Sequence, residues 1–340
     1  MRRNPLRHFA TTLAMLALTA THTAAVAQTT IKFSLNFKPD GSNAAWFLAA
    51  ERGYFKEAGL DVTLDTSGGT GDVLTRLATG AYDFGFGDIG AVIEFAGRNP
   101  GQSPVALLSI YERSPLSVIA LKKSGIAKPA DIVGRAVGAP LSDGAYRMFP
   151  AFAKATRVDA AKVNFKNIDI RVRETMLSRG DVDAVMGFDS TVWFNLKALG
   201  VKIEDVHFIR YAEHGLDLYG NSLLASRKIL KENPKAVAAF VRATVRGWKE
   251  TLADPKAAVA ALVRRDPLID AAIEIEKIQW LAANQIITPA IKAGGLGALD
   301  RARLERQIDT IAEAFSLPNK PALDAIYDGQ YLPALADRRF

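Results

Sequence analysis

Short apolar segments that fit β-strands alternate with helical stretches along this chain, and the alternation stops and then begins again before its middle. Residues 30–37 alternate polar and apolar side chains and turn at Pro39-Asp40-Gly41. Residues 43–56 carry Ala45, Leu48, Ala49 and Phe55 at helical spacing and run toward Gly59, which suits a helix end. Residues 60–64 then fit a strand, 67–71 (Ser-Gly-Gly-Thr-Gly) a loop, 72–79 a helix and 83–87 a third strand, with further strands at 105–110 and 116–121. Such a strand–helix alternation calls for a mostly parallel sheet covered by helices, because parallel neighbours need a long crossover between them.

The second round has its own units. Asp131 is placed to cap a turn before Gly134, 135–139 fits a strand, and Ser142-Asp143-Gly144 opens a helix over 145–156. Strands at 163–168, 182–188 and 206–211 alternate with helices at 171–179 and 191–199. From Asn221 onward the pattern turns helical: 228–253 is interrupted at Pro234, and runs at 255–264, 269–283 and 300–315 follow, able to cover one lobe. The expected organisation is α/β, with a first lobe from 28–117, a second from 118–220, and a return to the first with C-terminal helices over 221–340. A chain of this length exceeds what one core usually holds.

The N-terminus points to export. Arg2, Arg3 and Arg7 precede an apolar stretch over 9–20, and Ala25-Val26-Ala27 has the small-residue pattern of a cleavage site, so a signal over 1–27 is expected to be cut after Ala27. The apolar run falls short of the roughly 20 residues that a membrane span needs. The chain has no Cys, which excludes disulfides, thiolate metal sites and lipid attachment through an N-terminal Cys. The expected location is therefore the periplasm, as a soluble protein. Removing the three arginines of the signal lowers the net charge from +7 to 40 − 36 = +4, too mild for a nucleic-acid binder. Outside the signal only His207 and His214 remain, with no second His at ligand spacing, so neither a metal nor a cofactor is expected.

In open parallel sheets, ligands bind where loops leave the carboxyl ends of the strands. That rule selects Asn36, Phe37, Lys38, Asn43 and Trp46 after the first strand, Gly69 and Thr70 after the second, and Asp88 after the third. In the second lobe it selects Ser142, Asp143, Phe188 and Asp189. Each has a plainer explanation. The glycine loop lacks the Lys-Ser/Thr ending of a nucleotide-binding loop and fits an ordinary strand–helix turn, although its free N–H groups could hold an anion. Ser142 and Asp143 suit a helix cap, Trp46 suits a core, and Asp189 at the end of an apolar strand must be paired or solvated to be tolerated. No Gly-x-Ser-x-Gly elbow is present, and the chain is poor in nucleophiles and bases, so no catalytic residues are assigned.

Three stretches carry a resemblance: residues 49–62 (Ala-Ala-Glu-Arg-Gly-Tyr-Phe-Lys-Glu-Ala-Gly-Leu-Asp-Val), residues 79–88 (Thr-Gly-Ala-Tyr-Asp-Phe-Gly-Phe-Gly-Asp), and the pair 128–135 with 180–185. Over residues 30–253 the chain resembles the solute-binding proteins of ABC importers, in the family of nitrate, sulfonate and taurine receptors and receptors for thiamine pyrimidine precursors. The resemblance implies a type II periplasmic binding protein: two α/β lobes about a cleft, joined by crossing strands near 114–117 and 219–222. It also implies a monomer that closes on a small-molecule ligand and docks on an inner-membrane permease with a cytoplasmic ATPase. Pyrimidine-binding members often read Trp-x-Pro-Asn-x-x-His in the first loop; here Phe37, Pro39, Asp40 and Asn43 stand at the matching positions. The aromatic residues favour a planar nitrogen heterocycle or aromatic solute. The alternatives are a sulfonate or taurine receptor, a ligand sensor for a membrane receptor, and an enzyme of the thiamine-pyrimidine synthase type; that last group carries a Cys-rich motif absent here.

Overall fold

The computed structural model describes residues 28–340, so the expected signal and its cleavage after Ala27 lie outside the described residues. One sheet combines β1 (Thr29–Ser34), β2 (Leu60–Asp65), β3 (Phe84–Asp88), β4 (Val105–Ser109) and β10 (Asn221–Ala225), in the order β2-β1-β3-β10-β4. The other combines β5 (Leu116–Leu121), β6 (Ala136–Ala139), β7 (Asn164–Asn167), β8 (Ala184–Phe188) and β9 (Val206–Arg210), in the order β7-β6-β8-β5-β9. The order has the same form in both sheets.

Each sheet is mixed, with one strand reversed. β1 runs parallel to β2 and β3, whereas β10 is antiparallel to β3 and β4. Likewise β6 is parallel to β7 and β8, and β5 is antiparallel to β8 and β9. The reversed strand is in each case the one that arrives directly from the other sheet. No crossover helix turns that segment around, so it enters at the carboxyl edge of its new sheet and runs backwards. The two crossing segments hold each other: Gly220 donates its N–H to the Tyr111 carbonyl and Tyr111 donates to the Asn221 carbonyl, both at 2.9 Å, and Ser114 donates to the Leu218 carbonyl at 3.1 Å.

The helices follow the apolar spacing with three departures. Thr70–Ala78 buries Thr70, Val73, Leu74 and Leu77, the face that helical periodicity predicts. The expected helix over 43–56 is two, Ala44–Glu51 and Tyr54–Glu57, separated at Gly53, whose φ of 76° is left-handed. The expected helix over 145–156 likewise splits into Gly144–Arg147 and Phe149–Thr156, where Pro150 has no N–H to continue the ladder. Ile89–Arg98 is a helix that was not expected from the sequence; it follows β3 directly, and all of its residues but Phe95 and Arg98 are buried.

The C-terminal helices do more than cover one lobe. Pro234–Ala253 seals the first sheet, with Phe240 stacked on Phe84 at 4.3 Å between ring centroids. Arg301–Ala314 packs on both Ile89–Arg98 and Phe149–Thr156, so it touches the layers of both sheets. Ala271–Leu281 reaches the helix Asp189–Ala198: Glu276 pairs with Lys197, and the Trp280 ring lies 6.1 Å from Phe194.

Candidate functional site

The carboxyl ends of β1, β2 and β3 face those of β6 and β8 across a cleft. Its deep part is narrow, a cavity of about 30 Å3, and takes Asn36, Phe37, Ser42, Gly69, Thr70 and Tyr111 from the side of the first sheet. The second sheet's side supplies Asp143, Gly144, Ile170, Arg173, Phe188 and Thr191. A wider mouth continues outward past Lys38, Ser67 and Gly68 on one side and Asp169, Ile170, Arg171 and Asn195 on the other. The two sides approach closely, for Ser142 donates its Oγ–H to the Gly68 carbonyl at 2.9 Å. At Gly69, φ is 136°, and a Cβ would come within 3.0 Å of the Ser142 carbonyl oxygen; glycine is needed there on both counts.

The loop after β1 is tied down from several directions. Asp40 Oδ1 accepts from Ser42 N at 2.9 Å and from Ser42 Oγ at 2.5 Å. Asn43 accepts from Asp40 N at 3.1 Å and donates to the Lys38 carbonyl at 2.9 Å. Tyr111 donates its hydroxyl to the Ser42 carbonyl at 3.2 Å. Asn36 Oδ1 is buried without a protein partner.

Charge on the opposite wall is centred on Arg173, which is 1 % exposed. Its Nη1 donates to Asp143 Oδ2 at 3.0 Å and to the Met186 carbonyl at 3.2 Å, while Nε and Nη2 donate to Glu174 Oε1 at 3.0 and 2.6 Å. Burial alone would lower the Arg173 pKa; the Glu174 and Asp143 carboxylates outweigh it and raise it. Burial raises the Asp143 pKa, with Arg173 and the N–H of Ala145 pulling the other way. Asp143 Oδ1 accepts from that N–H at 2.7 Å and so caps Gly144–Arg147. Below the cleft, Asp88 caps Ile89–Arg98 by accepting from Ala91 N at 3.1 Å. Its Oδ2 has no protein partner, and burial pushes its pKa up to about 7 against the Ala91 and Gly90 N–H groups.

Six of the twelve residues selected from the sequence line the deep cleft: Asn36, Phe37, Gly69, Thr70, Asp143 and Phe188. Lys38 stands at the mouth and Ser142 bridges the two walls. The others lie elsewhere. Trp46 is in the core, 0 % exposed, with its ring 4.9 Å from Phe33 and 4.6 Å from Phe86, since its face of Ala44–Glu51 points into the first lobe. Asn43 and Asp88 are buried supports of the loops that carry them. Asp189 is held away from the cleft: Arg210 Nε donates to its Oδ2 at 2.7 Å, and Gln285 Nε2 and Ser190 N donate to its Oδ1 at 3.0 and 2.6 Å. Burial raises its pKa and Arg210 opposes the rise.

Ser42, Tyr111, Ile170, Arg173 and Thr191 were not selected from the sequence. For Arg173 a signal existed in its partner strand. Gly187 sits inside the apolar β8, and a Cβ there would come within 2.5 Å of Arg173 Nη1. An isolated glycine in a buried strand marks such a close approach. Tyr111 belongs to the crossing segment, which the strand-end rule does not cover.

The family described as NMT1/THI5 like matches residues 42–258. A riboflavin-binding protein of Chloroflexus aurantiacus is 25% identical over 228 residues, a match covering 66% of this chain and 63% of that protein, less than two thirds of its length. A formylaminopyrimidine-binding protein of Halalkalibacterium halodurans is 26% identical over 238 residues, covering 69% of this chain and 70% of that protein. A 4-amino-5-hydroxymethyl-2-methylpyrimidine phosphate synthase of Aspergillus parasiticus is 27% identical over 249 residues, covering 70% and 71%. Among solved structures, the alkanesulfonate-binding protein of Xanthomonas axonopodis pv. citri superposes with a TM-score of 0.67 at 14% identity, over 88% of this chain and 96% of that one. Likeness at that identity concerns the fold alone.

Proposed function

The chain belongs to the NMT1/THI5-like family and has the type II periplasmic-binding-protein fold, and from that premise we propose that it is the periplasmic solute-binding component of an ABC importer for a planar nitrogen heterocycle. It captures its ligand between the lobes and presents the closed form to a membrane permease served by an ATPase. Binding both walls at once shifts the open–closed population toward closure.

The observation that carries the ligand class is the charge state of the cleft. Arg173 is the one buried cation among the residues described as lining it, and four of its five N–H donors are already committed to Asp143, Glu174 and the Met186 carbonyl. A sulfonate or nitrate entering the deep cleft would face the Asp143 carboxylate and an Arg173 already shared between two carboxylates, and a buried anion without a counter-charge of its own is strongly disfavoured. A neutral or protonated ring meets no such penalty, and Phe37, Tyr111 and Phe188 offer it aromatic surface. The names of the riboflavin- and formylaminopyrimidine-binding relatives support the same class. Binding rather than turnover is favoured because the chain has no Cys and the lining residues include no paired nucleophile and base.

The test is a thermal-shift and native mass-spectrometry panel of riboflavin, 4-amino-5-hydroxymethyl-2-methylpyrimidine and taurine. A ring compound should raise the melting temperature and be recovered unchanged. Stabilisation by taurine alone would overturn the ligand class, and chemical conversion of a bound ring would overturn the receptor reading.

A further inference from the structure

A buried ammonium lies behind the cleft, and its polar partners, Asp40 and Glu274, are not among the residues lining it. Lys277, on the helix Ala271–Leu281, is 1 % exposed; its Nζ sits 3.1 Å from Asp40 Oδ2 and 2.8 Å from Glu274 Oε2. Glu274 in turn accepts from Gly41 N at 2.6 Å. An ion of this kind is tolerated in a protein interior only where it is paired and hydrogen-bonded, and here one partner, Asp40, lies on the loop over residues 36–43 and the other, Glu274, holds that loop through the Gly41 N–H. That loop supplies Asn36, Phe37 and Ser42, three of the six lining residues on its side.

The consequence lies in the direction of the hydrogen bonds. With Oδ2 turned to Lys277, Asp40 offers Oδ1 to both the N–H and the hydroxyl of Ser42. A hydroxyl has one proton, so Ser42 Oγ is left with lone pairs only. The Tyr111 hydroxyl spends its proton on the Ser42 carbonyl and is left likewise. Asn36 adds an amide oxygen with no protein partner. We propose that Lys277 is a positioning residue of the cleft: through Asp40 it sets the loop so that the Ser42 hydroxyl, and the Tyr111 hydroxyl bonded to the Ser42 carbonyl, line the cleft as hydrogen-bond acceptors, which select a ligand whose edge carries amino or ring N–H donors. The statement about donors rests on the proposed heterocycle; the statement about the loop does not.

Two measurements separate these. In the ligand-free protein, Lys277→Met should speed hydrogen exchange at the Gly41, Ser42 and Asn43 amides about tenfold or more, leaving the β5 and β8 amides unchanged, in line with loss of a local opening barrier. Unchanged exchange at those three amides overturns the positioning role. For binding, the probes are 4-amino-2-methylpyrimidine and its 4-dimethylamino analogue. The wild type should prefer the amino compound by about tenfold or more, and Lys277→Met should erase that preference, since a site built for a donor leaves its acceptors unpaired when the donor is missing. Equal weakening of both probes marks a merely structural lysine and overturns the proposal. If Lys277→Met does not fold, Ser42→Ala carries the binding arm with the same expected loss of preference, and its retention is the refuting result. If neither pyrimidine binds the wild type and taurine does, the heterocycle and the donor selection fall together, while the exchange data still decide the loop.

Discussion

Replacing Asp88 with asparagine should make stability less dependent on pH, by an amount that follows from where Asp88 sits. The carboxyl group is 0 % exposed, has one oxygen bonded to a backbone N–H and the other to nothing, and titrates at about 7 instead of near 3.8. Because the folded pKa is raised, the folded protein holds a proton between those values that the unfolded chain has already released. The stability associated with that proton is fully present below pH 4 and is lost as the pH rises through 7. A shift of three units corresponds to about 4 kcal/mol in all, of which about 3 kcal/mol falls between pH 5 and pH 8. The asparagine side chain would keep an oxygen to cap Ile89–Arg98 and has no proton to lose. Urea unfolding of both proteins at pH 5, 6, 7 and 8 should show Asp88→Asn gaining on the wild type by about 3 kcal/mol across that range, a large part of a typical domain's stability. A difference between the two proteins that stays constant with pH would refute the burial argument.

The other expectations concern single contacts. Arg173→Met leaves Asp143 and Glu174 buried without a counter-charge and should destabilise the fold by about 3–5 kcal/mol in urea; a loss below about 1 kcal/mol would contradict the ion-pair geometry. Phe188→Ala removes a half-buried cleft aromatic and should weaken heterocycle binding about tenfold by calorimetry while lowering stability far less than a core substitution. Trp46→Ala should do the reverse, costing about 3–5 kcal/mol of stability because the ring is in the core with Phe33, Phe86 and Trp248. Lys197→Ala breaks the Lys197–Glu276 pair, in which both partners are partly solvated, and should change stability by less than about 1 kcal/mol.

Much of this protein was already legible in the order of its residues. The repeated strand–helix alternation determined two α/β sheets, since each apolar strand and each striped helix must bury a face against the other. The loops that follow β1, β2, β6 and β8 could be selected as ligand-facing for the same reason, and Asn36, Phe37, Gly69, Thr70, Asp143 and Phe188 lie there. The reversal of β5 and β10 was not legible, because a strand carries no mark of its direction until it is known which edge it enters. Nor was the fate of aromatic and charged side chains near those loops. Trp46 and Phe188 are both aromatic residues beside a strand end, but one packs on Phe33 and the other faces the cleft, and only the placement of Pro234–Ala253 over the first sheet separates them. Arg173 and Lys277 look in sequence like solvated helix residues. Tertiary structure brings Asp143 to the first, 30 residues away, and Asp40 to the second, 237 residues away. Partners at such distances in sequence exist only once the chain has folded, and in the interior it is the partner that determines whether a charge can be buried at all.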